Sequence, residues 1–276
     1  MLFDAHAHVN EASYTDEYRD KLASEISSSD VKYVVDGAYD LNSSLMAVEN
    51  SMKFPWCYAT VGIHPQEASK IDDAMIERID RLTEEPKVVA VGEIGLDYHY
   101  GRDDLKKQHY WLRRQIRLAE EKKLPIVIHS RDADDDMMRI LKQEGAFSSE
   151  RQSCFPKRPG PDGQLLPDSR VLLHCFSGSA DLARQYVKLG ATISICGPVT
   201  FKNNRKTVEV VDRTPIEFLT SETDSPYLAP EPLRGKTNKP TYVEYVVRRI
   251  AVIKRISFEE AAEATCRNGK RFFDIT

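Results

Sequence analysis

The sequence predicts a closed (β/α)8 TIM barrel formed as a single domain, 1–276. Three observations predict it. Eight short runs rich in β-branched residues recur along the 276 residues, with amphipathic stretches between them. Their apolar character is nearly continuous, which suits strands of a parallel sheet buried on both faces. The length also matches, since one such barrel takes about 250 residues. An open doubly wound sheet is the alternative, but no Gly-x-Gly-x-x-Gly follows the first run.

The elements follow in order. Residues 2–9 open the chain as a strand carrying His6 and His8, two positions apart and so on one face of extended backbone. Residues 31–36 form a second strand, and 44–53 after them has helical spacing. A buried strand at 57–63 leads to a helix over 72–83, and 88–93 precedes a charged helix over 104–122. Pro125 starts the strand 125–129, a position proline tolerates, and 132–143 is helical. Residues 171–174, 191–196 and 216–222 complete the set. One stretch, 146–169, breaks the rhythm with Pro156, Pro159, Gly160, Pro161, Gly163 and Pro167 among mixed charges. It reads as an irregular peripheral loop insertion. Joining a helix to the next strand, it belongs at the N-terminal face of a barrel.

Composition excludes several classes. At 41% hydrophobic and 30% charged residues the chain reads as a globular protein. No apolar run approaches the roughly 18 residues that span a bilayer, and the N-terminus lacks a basic-then-apolar signal. A cytoplasmic protein without a membrane partner is expected. Cys57, Cys154, Cys175, Cys196 and Cys266 are scattered without Cys-x-x-Cys spacing and read as reduced thiols. A net charge of −4 argues against a general nucleic-acid coat protein. It leaves room for a nuclease, because bound cations and local basic patches act beneath the whole-chain sum.

Metal-ligand residue types recur where the strands end: His6 and His8, His64, Glu93, His129, His174 and Asp224. In a TIM barrel these ends share the face that carries the active site. Of seven histidines in the chain, only His99 and His109 fall elsewhere, as loop and helix-surface residues. Even four of these five histidines with the two carboxylates exceed what one catalytic metal with an open position takes. Two ions sharing Glu93 account for the number, the arrangement used in phosphoester hydrolysis. Imidazole suits Zn or Mn better than an all-oxygen site does; Zn, Mg and Mn all stay open.

The chain also resembles the TatD-type metal-dependent deoxyribonucleases of the amidohydrolase superfamily. The resemblance rests on His6-Ala7-His8, Gly62-Ile63-His64-Pro65, Gly92-Glu93-Ile94-Gly95-Leu96-Asp97-Tyr98 and Ile128-His129-Ser130-Arg131. It continues through His174-Cys175-Phe176-Ser177-Gly178, Glu222-Thr223-Asp224-Ser225-Pro226-Tyr227-Leu228, Arg234-Gly235-Lys236 with Asn238 and Pro240, and Asn268. It covers nearly the whole chain, 146–169 being the main departure. The resemblance implies one ion on His6, His8, Glu93 and Asp224, and a second on Glu93, His129 and His174.

The expected activity is hydrolysis of DNA phosphodiesters, with 3′–5′ exonuclease action as one form of it and RNA left open as substrate. Asp224 accepts the proton of the attacking water, and Glu93 bridges the ions. His64 holds a phosphate or protonates the leaving oxygen. Arg131 suits bidentate phosphate binding, and Lys202, Arg205, Arg234, Lys236 and Lys239 lie in the late loops that barrels use for phosphate. Asp97 and Tyr98 orient ligands or line the pocket. The alternative is attack on a carbonyl: an ester, lactone or amide, including a charged RNA that is deacylated. A deaminase is disfavoured because His-x-Glu with Pro-Cys-x-x-Cys is absent.

Overall fold

The computed structural model describes residues 1–100 and 104–276 and shows the expected barrel. The strands are β1 (Leu2–Ala7), β2 (Val31–Asp36), β3 (Cys57–Val61), β4 (Val88–Asp97) and β5 (Ile126–Arg131). A two-residue antiparallel pair, β6 (Arg158–Pro159) and β7 (Leu165–Leu166), comes next, and then β8 (Val171–Leu173), β9 (Thr192–Ile195) and β10 (Leu219–Ser221). Eight of these run parallel in the order β1-β2-β3-β4-β5-β8-β9-β10, each hydrogen-bonded to the next in that order. The last strand is shorter than expected. After Pro215, residues Ile216–Phe218 coil into a single 3-10 turn before β10 begins.

Helices cover the outside: α1 (Asp16–Ser27), α2 (Leu41–Lys53), α3 (Asp73–Leu82), α4 (Leu105–Lys122), α5 (Asp134–Gln143) and α6 (Ser149–Ser153). The rest are α7 (Ala180–Lys188), α8 (Arg205–Arg213), α9 (Val243–Lys254) and α10 (Phe258–Phe273). Side chains start them: Asp40 with Ser43 and Ser257 with Glu260 form reciprocal capping boxes on α2 and α10. Their apolar stripes follow the helical period. On α5, Met137, Ile140 and Leu141 are buried with Ile126 and Ile128 of β5 beneath them. Trp56 and Trp111 are buried in the strand–helix layer.

Inside the barrel, Phe3, Ala5, Val35, Ala90, Val127 and Leu172 pack together, and the end of α10 plugs them from below. Phe273 stacks on Phe3 with ring centroids 6.0 Å apart. On β4 the register shifts between Val91 and Ile94, so both stay in the outer layer although three positions apart. Glu93 falls within that irregularity and is buried among polar groups instead of apolar ones.

The barrel closes between β1 and β10 largely through side chains. The Ser221 hydroxyl donates to the Phe3 carbonyl at 3.2 Å. The Thr223 N–H and hydroxyl both donate to the buried Asp4 carboxylate, at 2.8 and 2.5 Å. Just above, Asp224 N–H donates to the His6 carbonyl and His8 N–H to that of Ser225, at 2.9 and 2.7 Å.

Segment 146–169 lies at the N-terminal face and differs from an irregular loop. It holds α6 and the β6–β7 pair, and its arginines are buried. Arg151 donates to the carbonyls of Ser169 and Leu124 and pairs with Glu120 at 2.8 Å. Arg158, fully buried, donates to the carbonyls of Ala191 and Glu217 at 3.0 and 2.5 Å, with Phe218 under its guanidinium. Arg170 donates to the Phe272 carbonyl and, with Arg271, pairs with Asp168. These cations occupy the carbonyls where β5, β8, β9 and β10 begin.

Candidate metal centre

The strand ends at the opposite face enclose a cavity of about 650 Å³ lined by His8, His64, Glu93, His129, His174 and Asp224 among others. His6 lies beneath, fully buried, its ring tilted against that of His174 with centroids 3.9 Å apart. All seven residues expected at the strand ends therefore meet in one place.

Glu93 is the hub. Its Oε2 lies 3.3 Å from His6 Nε2. Its Oε1 lies 2.7 Å from His129 Nδ1 and 3.6 Å from both His64 Nε2 and His174 Nε2. One oxygen thus faces His6 of β1, and the other faces His129 of β5 and the histidines that follow β3 and β8. Asp224, whose left-handed φ of 56° an aspartate tolerates, places Oδ1 at 3.4 Å from His8 Nε2 and 3.6 Å from His174 Nε2.

The other sides of the rings decide what the converging nitrogens can do. His8 Nδ1 lies 2.7 Å from the Gly37 carbonyl, an acceptor only, so Nδ1 donates and Nε2 is left to take a proton or a cation. His174 Nδ1 is backed by the buried Glu222 carboxylate at 2.9 Å, and His129 Nε2 by Asp97 at 3.4 Å. Such carboxylate backing fixes ring orientation and raises ligand basicity. His64 is the exception. Its Nδ1 accepts the Gln66 N–H at 3.2 Å, so its proton sits on Nε2 and points into the cavity.

Charge follows from this crowding. Burial and the neighbouring His129 push His64 down to about 3, so it is a neutral donor. Burial works against charged His8 and His174, but the facing carboxylates outweigh it, lifting them to about 9 and about 10. Burial opposes the charged form of Glu93, yet His174 and His64 with the other rings hold it well below the carboxylate range. Protons on His8 and His174 thus stand where a cation would balance the carboxylates. His6 Nε2 and His8 Nε2 face each other at 3.4 Å, and sets of ligand atoms from His6, His8 and Glu93, from His6, His174 and Asp224, and from His64, Glu93 and His129 each lie within 4.8 Å of one another. The donor set fits divalent cations.

Other expected residues divide. Arg131 lines the cavity with its guanidinium 4.7 Å from the Tyr100 ring centroid, and Asp97 lines it as well. Tyr98 turns away to His109 and Asp136, both at 2.6 Å. Arg234 lies over Phe201, Lys239 pairs with Glu25 at 2.8 Å, and Lys202, Arg205 and Lys236 are exposed; the cavity lining includes none of these five. Asn238 and Asn268 bridge backbone carbonyls.

Some residues escaped the sequence reading. For Glu222 the only signal was a second acid two positions before Asp224; it follows β10 in a turn and backs His174 instead of lining the cavity. Gly37 gave none; a Cβ there would sit 2.5 Å from the His6 ring. The exposed rim residues Tyr100 and Tyr227 and the acids Glu11 and Glu67 also line the cavity. The expectation of reduced thiols fails for two cysteines. Cys175 and Cys196 form a disulfide with Cα atoms 5.4 Å apart, while Cys57, Cys154 and Cys266 are free. Neighbouring strands β8 and β9 bring together residues 21 apart that form no sequence motif.

A family model described as TatD related DNase matches residues 3–274. The metal-dependent hydrolase YabD of Bacillus subtilis is 39% identical over 275 residues, covering 100% of both chains. The metal-dependent hydrolase YcfH of Escherichia coli K12 is 32% identical, covering 100% of this chain and 96% of its own. The crystal structure of YjjV, a TatD homolog from Escherichia coli K12, superposes with a TM-score of 0.86 at 25% identity, covering 100% of this chain and 98% of that one. Among the described residues no helix is long and apolar enough to cross a membrane.

Proposed function

This chain belongs to the TatD-related DNase family and is a metal-dependent hydrolase, and from that premise we propose that it cleaves phosphodiester bonds of DNA at a two-cation centre. The observation that supports two cations is Glu93, whose two oxygens face different sets of histidines. His6, His8, Glu93 and Asp224 would hold one ion, and Glu93, His129 and His174 the other. Bound divalent ions supply Lewis-acid stabilisation of charge on phosphate oxygens and make water acidic enough to ionise near neutral pH.

The chain's own groups do the rest. Asp224, kept ionised by His174 and His8 against its burial, takes the proton of the attacking water. His64 donates its Nε2 proton to a phosphate oxygen; being neutral, it binds and orients instead of acting as an acid. Arg131 at the cavity wall pairs with the backbone phosphate. Glu222 and Asp97 hold the His174 and His129 rings in register.

One observation favours a second reading. Among the described residues, Arg131 is the only lysine or arginine in a lining that also holds Glu11, Glu67 and Asp97, whereas a polyanion-binding cleft is usually basic. Hydrolysis of an ester, lactone or amide by the same centre suits that balance. Purified protein loaded with Mg²⁺, Mn²⁺ or Zn²⁺ is to be tested on end-labelled DNA, with chelator and Glu93→Gln controls. Cation-dependent cleavage that Glu93→Gln abolishes is expected. No cleavage with any ion, alongside turnover of a carboxylic ester, would move the assignment to the second reading.

A further inference from the structure

Behind the cation ligands lies a feature that the hydrolytic chemistry does not use. His174 and Cys175 are consecutive. Cys175 sits at a left-handed φ of 40°, a region that residues with a Cβ rarely occupy. Two contacts hold it there. Its N–H donates to Glu222 Oε1 at 2.5 Å, and its sulfur is bonded to Cys196 at the end of β9. That same Glu222 oxygen lies 2.9 Å from His174 Nδ1, and the Ser194 hydroxyl fixes the other oxygen at 2.5 Å. Cross-link, carboxylate and imidazole therefore form one connected unit. Cys175 is partly exposed whereas Cys196 is 4% exposed, so Cys175 is the member of the pair that solution reaches.

We infer that Cys175 and Cys196 are a reversible oxidation site whose disulfide holds His174 in position for the second cation. This rests on the reading of His174 as a ligand of that cation. The oxidant is hydrogen peroxide. The Cys175 sulfur attacks a peroxide oxygen, the O–O bond breaks, and a sulfenic acid and one water leave the step. The Cys196 sulfur then displaces the hydroxyl from Cys175, forming the S–S bond and a second water. Two thiol protons and two sulfur electrons thus end in two waters, and a dithiol reverses the change. Reduction leaves Cys175 held by Glu222 alone, with its backbone free to leave the left-handed region and draw Glu222 and His174 with it. Loss of such outer support typically costs about tenfold or more in metal affinity.

The test uses the whole protein, metal-free, in two batches: one treated with hydrogen peroxide and one with a phosphine reductant, each then desalted. Iodoacetamide labelling and peptide mass read the thiols, with exposed Cys154 as the internal control. Mn²⁺ titration by calorimetry reads the ions independently of any nuclease assay. Expected are protection of Cys175 and Cys196 only after peroxide, and a second Mn²⁺ bound about tenfold more tightly by the oxidised batch. The double variant Cys175→Ser/Cys196→Ser should titrate like the reduced protein whatever its treatment. Labelling of both cysteines after peroxide, superimposable two-site isotherms, or a double variant that still responds to peroxide would each overturn the inference. A single Mn²⁺ in both batches would overturn it together with the two-cation reading, and the stoichiometry tells those outcomes apart.

Discussion

The two ends of this barrel bury ionisable groups in opposite ways. At the N-terminal face, Arg151, Arg158, Arg170 and Arg271 spend their donors on strand-end carbonyls, Thr192, Glu120 and Asp168. At the C-terminal face, imidazoles and carboxylates point at one another, and the space between them is left for something else. Buried charge is tolerable only when it is paired and hydrogen-bonded. The lower cluster finds most of its partners within the chain, carbonyls and Thr192 for Arg158 and the carboxylates of Glu120 and Asp168 for the other three; the upper one relies on borrowed protons until cations arrive. Closure from within marks a structural cluster, and convergence that needs an external partner marks a functional one.

The sharpest way to break this contrast is to change each hub in turn. Glu93→Gln should abolish binding of both cations and lower hydrolysis at least about a thousandfold, as the ions supply most of the charge stabilisation. The metal-free variant should still fold, read by circular dichroism. Loss of one cation alone, seen by metal analysis, would deny the shared carboxylate. Arg158→Ala should do the reverse. Stripping donors from buried carbonyls should cost about 2–4 kcal/mol in urea unfolding, with cation stoichiometry unchanged in the folded fraction.

A subtler intervention is Gly37→Ala, whose added methyl must displace the His6 ring. The first cation should weaken about 10- to 100-fold in titration while the second holds. Proton linkage gives a milder effect. His8 and His174 are raised from the ordinary 6.5 to about 9 and about 10 in the metal-free protein. Their contribution to metal-free stability is full below pH 6.5 and is lost as pH rises through 9 to 10. Cation affinity should move oppositely, climbing with pH toward that range because bound protons must leave. Thermal melts across pH, with and without Mn²⁺, check both signs; parallel curves would contradict them. The smallest difference concerns the substrate: Arg131→Ala should raise KM for DNA severalfold, and Arg234→Ala, outside the cavity lining, should leave it nearly unchanged.

The barrel and its ligand rim were legible because strand periodicity alone settles which side chains reach the mouth. His6, His8, His64, Glu93, His129, His174 and Asp224 needed only the rule that strand ends share a face. What backs each ring depended on features without period. Glu222 serves His174 through the local turn after β10, and Gly37 serves His6 by having no side chain. The arginines of 146–169 lie among prolines and glycines, a composition that reads as solvated loop. They are buried because strand beginnings beneath them expose carbonyls in need of donors. The pairing of Cys175 with Cys196 came from the lateral order of β8 and β9, which no local spacing records.

The joint between β1 and β10 has a consequence for how the molecule wears. A cask fails where its first and last staves meet, and here that joint is pinned by Asp4, Ser221 and Thr223 below His6, His8 and Asp224. An ion gripped by those three would act as a hoop across residues more than two hundred positions apart, so amide exchange near Leu2–Ala7 should slow as the centre fills.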